Sequence, residues 1–231
     1  MATLRVQYAD MDTTTTPART TPARFRLAID PRPLFSAATT TGTEVIAAVR
    51  PDQLAHATPC PDFDVRSLLG HLVDVLHRVA AMGRGDEYTA APIEVAGVAD
   101  HAWTATWRAA VDDANAAWAD DGALERTIVL PWATDRGGVA LLGYVSEITV
   151  HTWDLAQATG RRPTWNVPAV AGAYELMRSW LPGAGRAEIF EEVRKKMGSD
   201  ARAENAFAEV VPVPDDAPLI DRLVAWTGRQ P

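Results

Sequence analysis

The chain has 231 residues and 47% hydrophobic residues, enough for one large domain with a sizeable core. Asp and Glu number 30 against 22 Lys and Arg, a formal charge of −8, which argues against non-specific binding to nucleic acid or an anionic membrane. A lone cysteine, Cys60, excludes an intrachain disulfide framework and a CxxC zinc knuckle, and fits a reducing cytosol.

Residues 1–29 read as a disordered arm. The Thr13–Thr16 run before Pro17 and the Thr20-Thr21-Pro22 step have no amphipathic period and little to bury. No signal peptide and no run of 18 apolar residues is visible, so a cytoplasmic protein is expected. Two lysines beside 20 arginines, with abundant Ala, suggest a GC-rich bacterial source.

From Asp30 the pattern becomes helical. Pro31 and Pro33 suit a helix start, and Phe35, Ala38, Gly42, Val45, Ile46 and Val49 repeat at three and four up to Arg50-Pro51. Residues 51–63 form a Pro-punctuated loop, and Asp64 is placed to cap the second helix. The apolar face of that helix is Leu68, Leu72, Val75, Leu76 and Val79, with Gly83 and Gly85 closing it.

A third helix is expected over 97–119, with Trp103, Trp107, Val111, Ala114 and Trp118 as its core stripe and Gly122 as its stop. Thr127 to Leu130 suits a brief strand, and 135–138 a turn. A fourth helix follows from Val139 to Thr159 with Gly160 after it, and a fifth from Pro168 to Trp180. Residues 187–197 read as a short charged helix, Pro212 to Pro214 as extended, and 216–227 as a last helix with Leu219, Leu223 and Trp226 inward. The expectation is therefore all-α: a four-helix bundle with extra C-terminal helices and a short β element near 127–130. Residues 30–231 form its single metal-binding domain, with the helical extension beginning at about 165.

Glu147 and His151 stand four apart on the fourth helix, one turn from each other on a face shared with Tyr144, Ile148 and Leu155. His71 lies among Leu68, Leu72 and Val75 on the inward side of the second helix. One residue from helix two and two from helix four can meet inside an antiparallel bundle. His₂Glu leaves a metal one open position for water or substrate, and it also approaches the facial triad of non-haem iron. On spacing alone a second reading stands beside this, a hydrogen-bonded core histidine.

The segments Thr58-Pro59-Cys60-Pro61-Asp62-Phe63-Asp64-Val65, His71-Leu72 and Glu147…His151-Thr152-Trp153-Asp154-Leu155-Ala156 resemble the mycothiol-dependent maleylpyruvate isomerase family of the DinB/YfiT-like helical superfamily. Leu130-Pro131-Trp132 and the Val211–Asp215 tail resemble an actinobacterial branch. The resemblance spans about residues 30–230. It implies a four-helix bundle whose divalent metal is held by His71, Glu147 and His151: zinc first, with nickel or iron open. It also implies a small thiol, mycothiol or a similar one, used as a metal-bound thiolate on a small electrophile.

The function expected is thus a metal-dependent thiol S-transferase or isomerase. Two alternatives are a hydrolase working through metal-activated water and a non-catalytic metal-binding helical protein. The partners expected are a small-molecule substrate and a small thiol, with a homodimer open and neither nucleic acid nor membrane. Two features depart from the family pattern: Phe63 stands where it has Trp, and only about 50 residues follow the fifth helix.

The candidate catalytic residues are Asp154 and Tyr144. Asp154, one turn past His151, is read either as an orienter of that histidine or as a helix-end hydrogen bonder. Tyr144 is read either as a donor to substrate or as core. Trp132 is the candidate cofactor-binding residue at the pocket mouth, with simple packing as its other reading. Asp74 carries the same two readings as Asp154. His77 falls about 240° from His71 around the helix, towards solvent. His56 and His101 have no partner pattern, and Cys60 is read as a buried structural thiol.

Overall fold

The computed structural model describes residues 29–86, 95–130, 134–188, 191 and 207–231. It is mostly helical, with one small antiparallel sheet. Residues 1–28, Trp132 and most of the expected helix at 187–197 lie outside the described residues.

Four long helices make the bundle: α1 (Arg32–Ala47), α2 (Val65–Arg84), α3 (Trp103–Ala117) and α5 (Gly137–Thr159). Both α1 and α2 contact α3 and α5, so α1 and α2 sit across the diagonal of the bundle. The loop from Ala48 to Asp64 makes that diagonal crossing and passes the C-terminal end of α5. There Gln53 Nε2 donates to the Thr159 carbonyl at 3.1 Å, and the His56 ring lies 3.2 Å from the Ala158 carbonyl.

Local chemistry explains the ends of α2. The Asp64 carboxylate accepts the Ser67 N–H at 2.8 Å, satisfying one of the orphan donors of the first turn. Gly85 ends the helix. Gly83 does not close it as expected. It lies inside α2, where a Cβ would meet the Trp118 indole at 2.8 Å.

The tryptophan stripe is core as expected: Trp103, Trp107 and Trp118 are buried. The indole N–H groups of Trp107 and Trp118 find partners on neighbouring helices. Trp107 Nε1 donates to Thr43 Oγ1 at 2.8 Å, and Trp118 Nε1 to the Val79 carbonyl at 2.7 Å.

Helix α3 begins six residues later than the pattern suggests. The chain before it is instead tied to α2 at two points, with the Val95 N–H on the Gly70 carbonyl at 3.1 Å and Asp100 held by Arg66 at 2.7 Å. Nor does Gly122 stop α3. It belongs to a separate short helix, α4 (Asp121–Glu125).

The expected strand forms as β1 (Thr127–Val129) and pairs with β2 (Thr134–Arg136), with Ile128 opposite Asp135. The expected turn at 135–138 is therefore the end of a strand running directly into α5. Gly137 permits the junction, because a Cβ there would sit 2.0 Å from the Ala123 carbonyl oxygen.

Helix α5 is the centre of the molecule and is buried nearly all round. The hydroxyls of Ser146, Thr149 and Thr159 bond backbone carbonyls. Thr149 Oγ1 donates to Val145 O at 2.7 Å, and Ser146 Oγ reaches Ala173 O at 3.3 Å. Outside the bundle, α6 (Val167–Trp180) covers α5 and α1, and α7 (Leu219–Trp226) packs on α6 and α5. On α7, Ile220, Leu223, Val224 and Ala225 are the buried residues, while Trp226 is half-buried. Among the described residues no helix is long and apolar enough to cross a membrane.

Candidate metal centre

Helices α2 and α5 run antiparallel, so the second turn of α2 faces the C-terminal half of α5. This brings His71, Glu147 and His151 together, with one potential donor atom from each lying within 4.8 Å of the others. His71 Nε2 is 3.2 Å from Glu147 Oε1, and the two imidazole centroids are 5.0 Å apart and nearly perpendicular. The histidine side chains are 10% and 12% exposed and that of Glu147 35%, so the cluster opens to solvent on the glutamate side.

Asp154 is fully buried and accepts His151 Nδ1–H at 2.9 Å. This fixes the tautomer and leaves Nε2 with its lone pair. Tyr144 is buried one turn before Glu147 on the same face. Asp74 is buried too, and it pairs with Arg78 at 2.5 Å. His77 and His101 are exposed, as is His56.

Electrostatics set the protonation of the cluster. Burial by itself would raise the Glu147 carboxyl. The hydrogen bond to His71, with the charges of His71, His151 and Arg78, outweighs it and holds the group well below the usual carboxylate range. Burial draws the His151 imidazole below its ordinary value, against the opposing hydrogen bond to Asp154. Burial also works against Asp154, but the His151 hydrogen bond and the Arg229 guanidinium keep it ionised. The result at neutral pH is a neutral His151 beside an ionised Glu147, the state in which such groups bind a cation.

Three neighbours of the cluster were not placed there by sequence reasoning. Phe63 stacks on His71 at 4.9 Å and 24° and meets His151 edge-on at 6.3 Å. Its position immediately before the α2 cap was the available signal. Cys60 is buried as expected, but its sulfur also lies within 4.8 Å of donor atoms of His151 and Asp154. Burial pushes its thiol up to about 11, with the Arg229 charge countering and the Asp154 charge adding. Thr58 shapes the loop that carries both residues, its hydroxyl shared between the Cys60 and Phe63 carbonyls at 2.9 and 2.8 Å. Arg229 reaches the cluster from the far C-terminus, and no local pattern announces it.

A family model described as the mycothiol maleylpyruvate isomerase N-terminal domain matches residues 35–156. The chain is also similar to two uncharacterized proteins of Mycobacterium tuberculosis, from strains CDC 1551 / Oshkosh and ATCC 25618 / H37Rv. Each is 30% identical over 189 residues, covering 80% of this chain and 90% of the relative. No solved structure matches it. The matched segment runs from the first turn of α1 to Ala156 and holds the whole His71–Glu147–His151 cluster together with Asp154, and on that match the chain belongs to the mycothiol maleylpyruvate isomerase N-terminal domain family.

Proposed function

We propose that the chain is a metal-dependent enzyme of the thiol S-transferase or isomerase type, acting on a small electrophile. The observation that carries this reading is the His71, Glu147 and His151 donor set, gathered within 4.8 Å between α2 and α5. The set fits a divalent ion. It offers two imidazoles and one ionised carboxylate, His151 has its Nδ1 already committed to Asp154, and Glu147 is the most exposed of the three side chains. Zinc is the first choice, and nickel or iron would accept the same ligands. Bound there, such an ion would lower the pKa of a small thiol, mycothiol or a similar one, and hold it as thiolate.

The chain's own residues do the rest. Asp154 holds His151 in one tautomer. Phe63 covers the face of His71 and keeps water from that side of the site. The Cys60 thiol, raised to about 11, stays protonated at neutral pH, so reactive sulfur would come from the small thiol rather than from the protein. Tyr144 is proposed as a donor to bound substrate from the buried end of the same face. In this reading residues 30–231 form one domain working in the cytoplasm.

The test begins with metal content. Untagged wild-type protein is expected to hold one zinc-class ion per chain by plasma mass spectrometry, and His71→Ala to hold almost none. Purified protein supplied with zinc and mycothiol is then assayed against a panel of electrophiles. Metal-dependent thiol consumption, lost in His151→Ala, is the expected result. Equal rates for wild type and His151→Ala would overturn the reading, and metal-dependent turnover indifferent to thiol would point to the hydrolase instead.

A further inference from the structure

The family match ends at Ala156, yet the cluster is completed from 73 residues further along the chain, at Arg229. Arg229 Nη2 donates to Asp154 Oδ2 at 3.1 Å and Nε to Asp154 Oδ1 at 3.3 Å. Both side chains are buried: Arg229 is 8% exposed and Asp154 0%. The carboxylate is thus gripped on both oxygens by one planar fork, while Oδ2 also accepts the His151 Nδ1–H.

The backbone is shaped to deliver that fork. The Gly228 N–H donates to Ala225 O at 3.1 Å and the Arg229 N–H to Val224 O at 2.9 Å, the paired bonds of a Schellman helix end. Gly228 takes the left-handed conformation, φ 91°, and a Cβ there would lie 2.9 Å from the Ala208 backbone. With α7 anchored by Leu223 and Val224, the turn at Gly228 sends Arg229 inward instead of onward into solvent. Its third donor group is taken up locally, Nη1 on Thr227 O at 3.2 Å.

We propose that Arg229 is a positioning residue for the metal centre, acting on His151 through Asp154. The inference rests on the metal reading of the cluster for its consequence, but not for its geometry. A buried carboxylate without that fork would be free to turn, and turning would release the His151 Nδ1–H. The guanidinium prevents this by holding both oxygens. It fixes the plane of the carboxylate, which fixes the imidazole and keeps the Nε2 lone pair available on the side of His71 and Glu147. The C-terminal segment, outside the matched family domain, thereby becomes part of the site.

The experiment compares wild type, Arg229→Gln, Asp154→Asn and the double variant. Two quantities are read: the Zn²⁺ dissociation constant, by competition with a chromophoric chelator, and the His151 tautomer in metal-free protein, by ¹⁵N correlation of the ring nitrogens. Wild type is expected to show a single tautomer protonated at Nδ1. Arg229→Gln is expected to show mixed tautomers and Zn²⁺ binding about 10–100-fold weaker. The double variant is expected to bind no more weakly than Asp154→Asn alone, because both changes act on one path. Unchanged tautomer and affinity in Arg229→Gln, or fully additive losses in the double variant, would overturn the proposal. Arg229→Lys serves if Arg229→Gln fails to fold. Retaining charge without the fork, it should show a smaller loss of the same kind, and wild-type values in it would equally overturn the idea. If wild-type protein binds no Zn²⁺, the metal reading fails, while the tautomer measurement still decides the role of Arg229.

Discussion

At the residue scale, single side chains make sharp and separate predictions. Asp64 caps α2 through the Ser67 N–H, so Asp64→Ala should cost about 1 kcal/mol in urea unfolding at neutral pH. The folded-state pKa of Asp64 lies below its ordinary 3.8, where the bonds from Ser67 outweigh the opposing effect of burial. Its contribution is therefore present above that value and lost as pH falls through the folded pKa, and the gap between wild type and Asp64→Ala should close on acidification. Cys60, buried with its thiol near 11, should resist iodoacetamide at pH 7.5 in the native protein and react once denatured, as read by mass spectrometry. Asp64 was legible because capping is local chemistry. The nearness of Cys60 to His151 was not, since 91 residues separate them.

At the element scale, periodicity carried most of the information. The stripe on α3 pointed inward as read, and Trp107→Ala should cost about 3–5 kcal/mol in the same assay, through the cavity it leaves and the loss of the bond to Thr43. Boundaries were less legible wherever a tertiary contact competed with local preference. The start of α3 moved to Trp103 because the chain before it is held on α2 at Val95 and Asp100. Gly137 looked like part of a turn, and became the first residue of α5 because only a residue without Cβ clears the Ala123 carbonyl. Gly137→Ala should destabilise the protein by about 1–3 kcal/mol, and hydrogen exchange should accelerate first at the α4–α5 junction.

At the scale of the whole molecule, the buried Asp154–Arg229 pair ties the C-terminus to the central helix. Removing one partner leaves a buried charge, so Arg229→Ala should cost about 3–5 kcal/mol. Replacing both by neutral residues of similar size should cost less, a comparison that equilibrium urea unfolding can make. The sequence by itself determined the helical bundle, the cap of α2, the inward tryptophans, and the His71, Glu147 and His151 set, because each is written in periodicity, in local hydrogen bonding or in the family's short segments. Only the tertiary structure decided what surrounds that set. The diagonal loop lays Phe63 on His71 and Cys60 beside His151. The turn at Gly228 brings Arg229 onto Asp154. Contacts between residues far apart in the chain depend on how helices cross and where loops return, and neither leaves a period or a motif in the order of the amino acids.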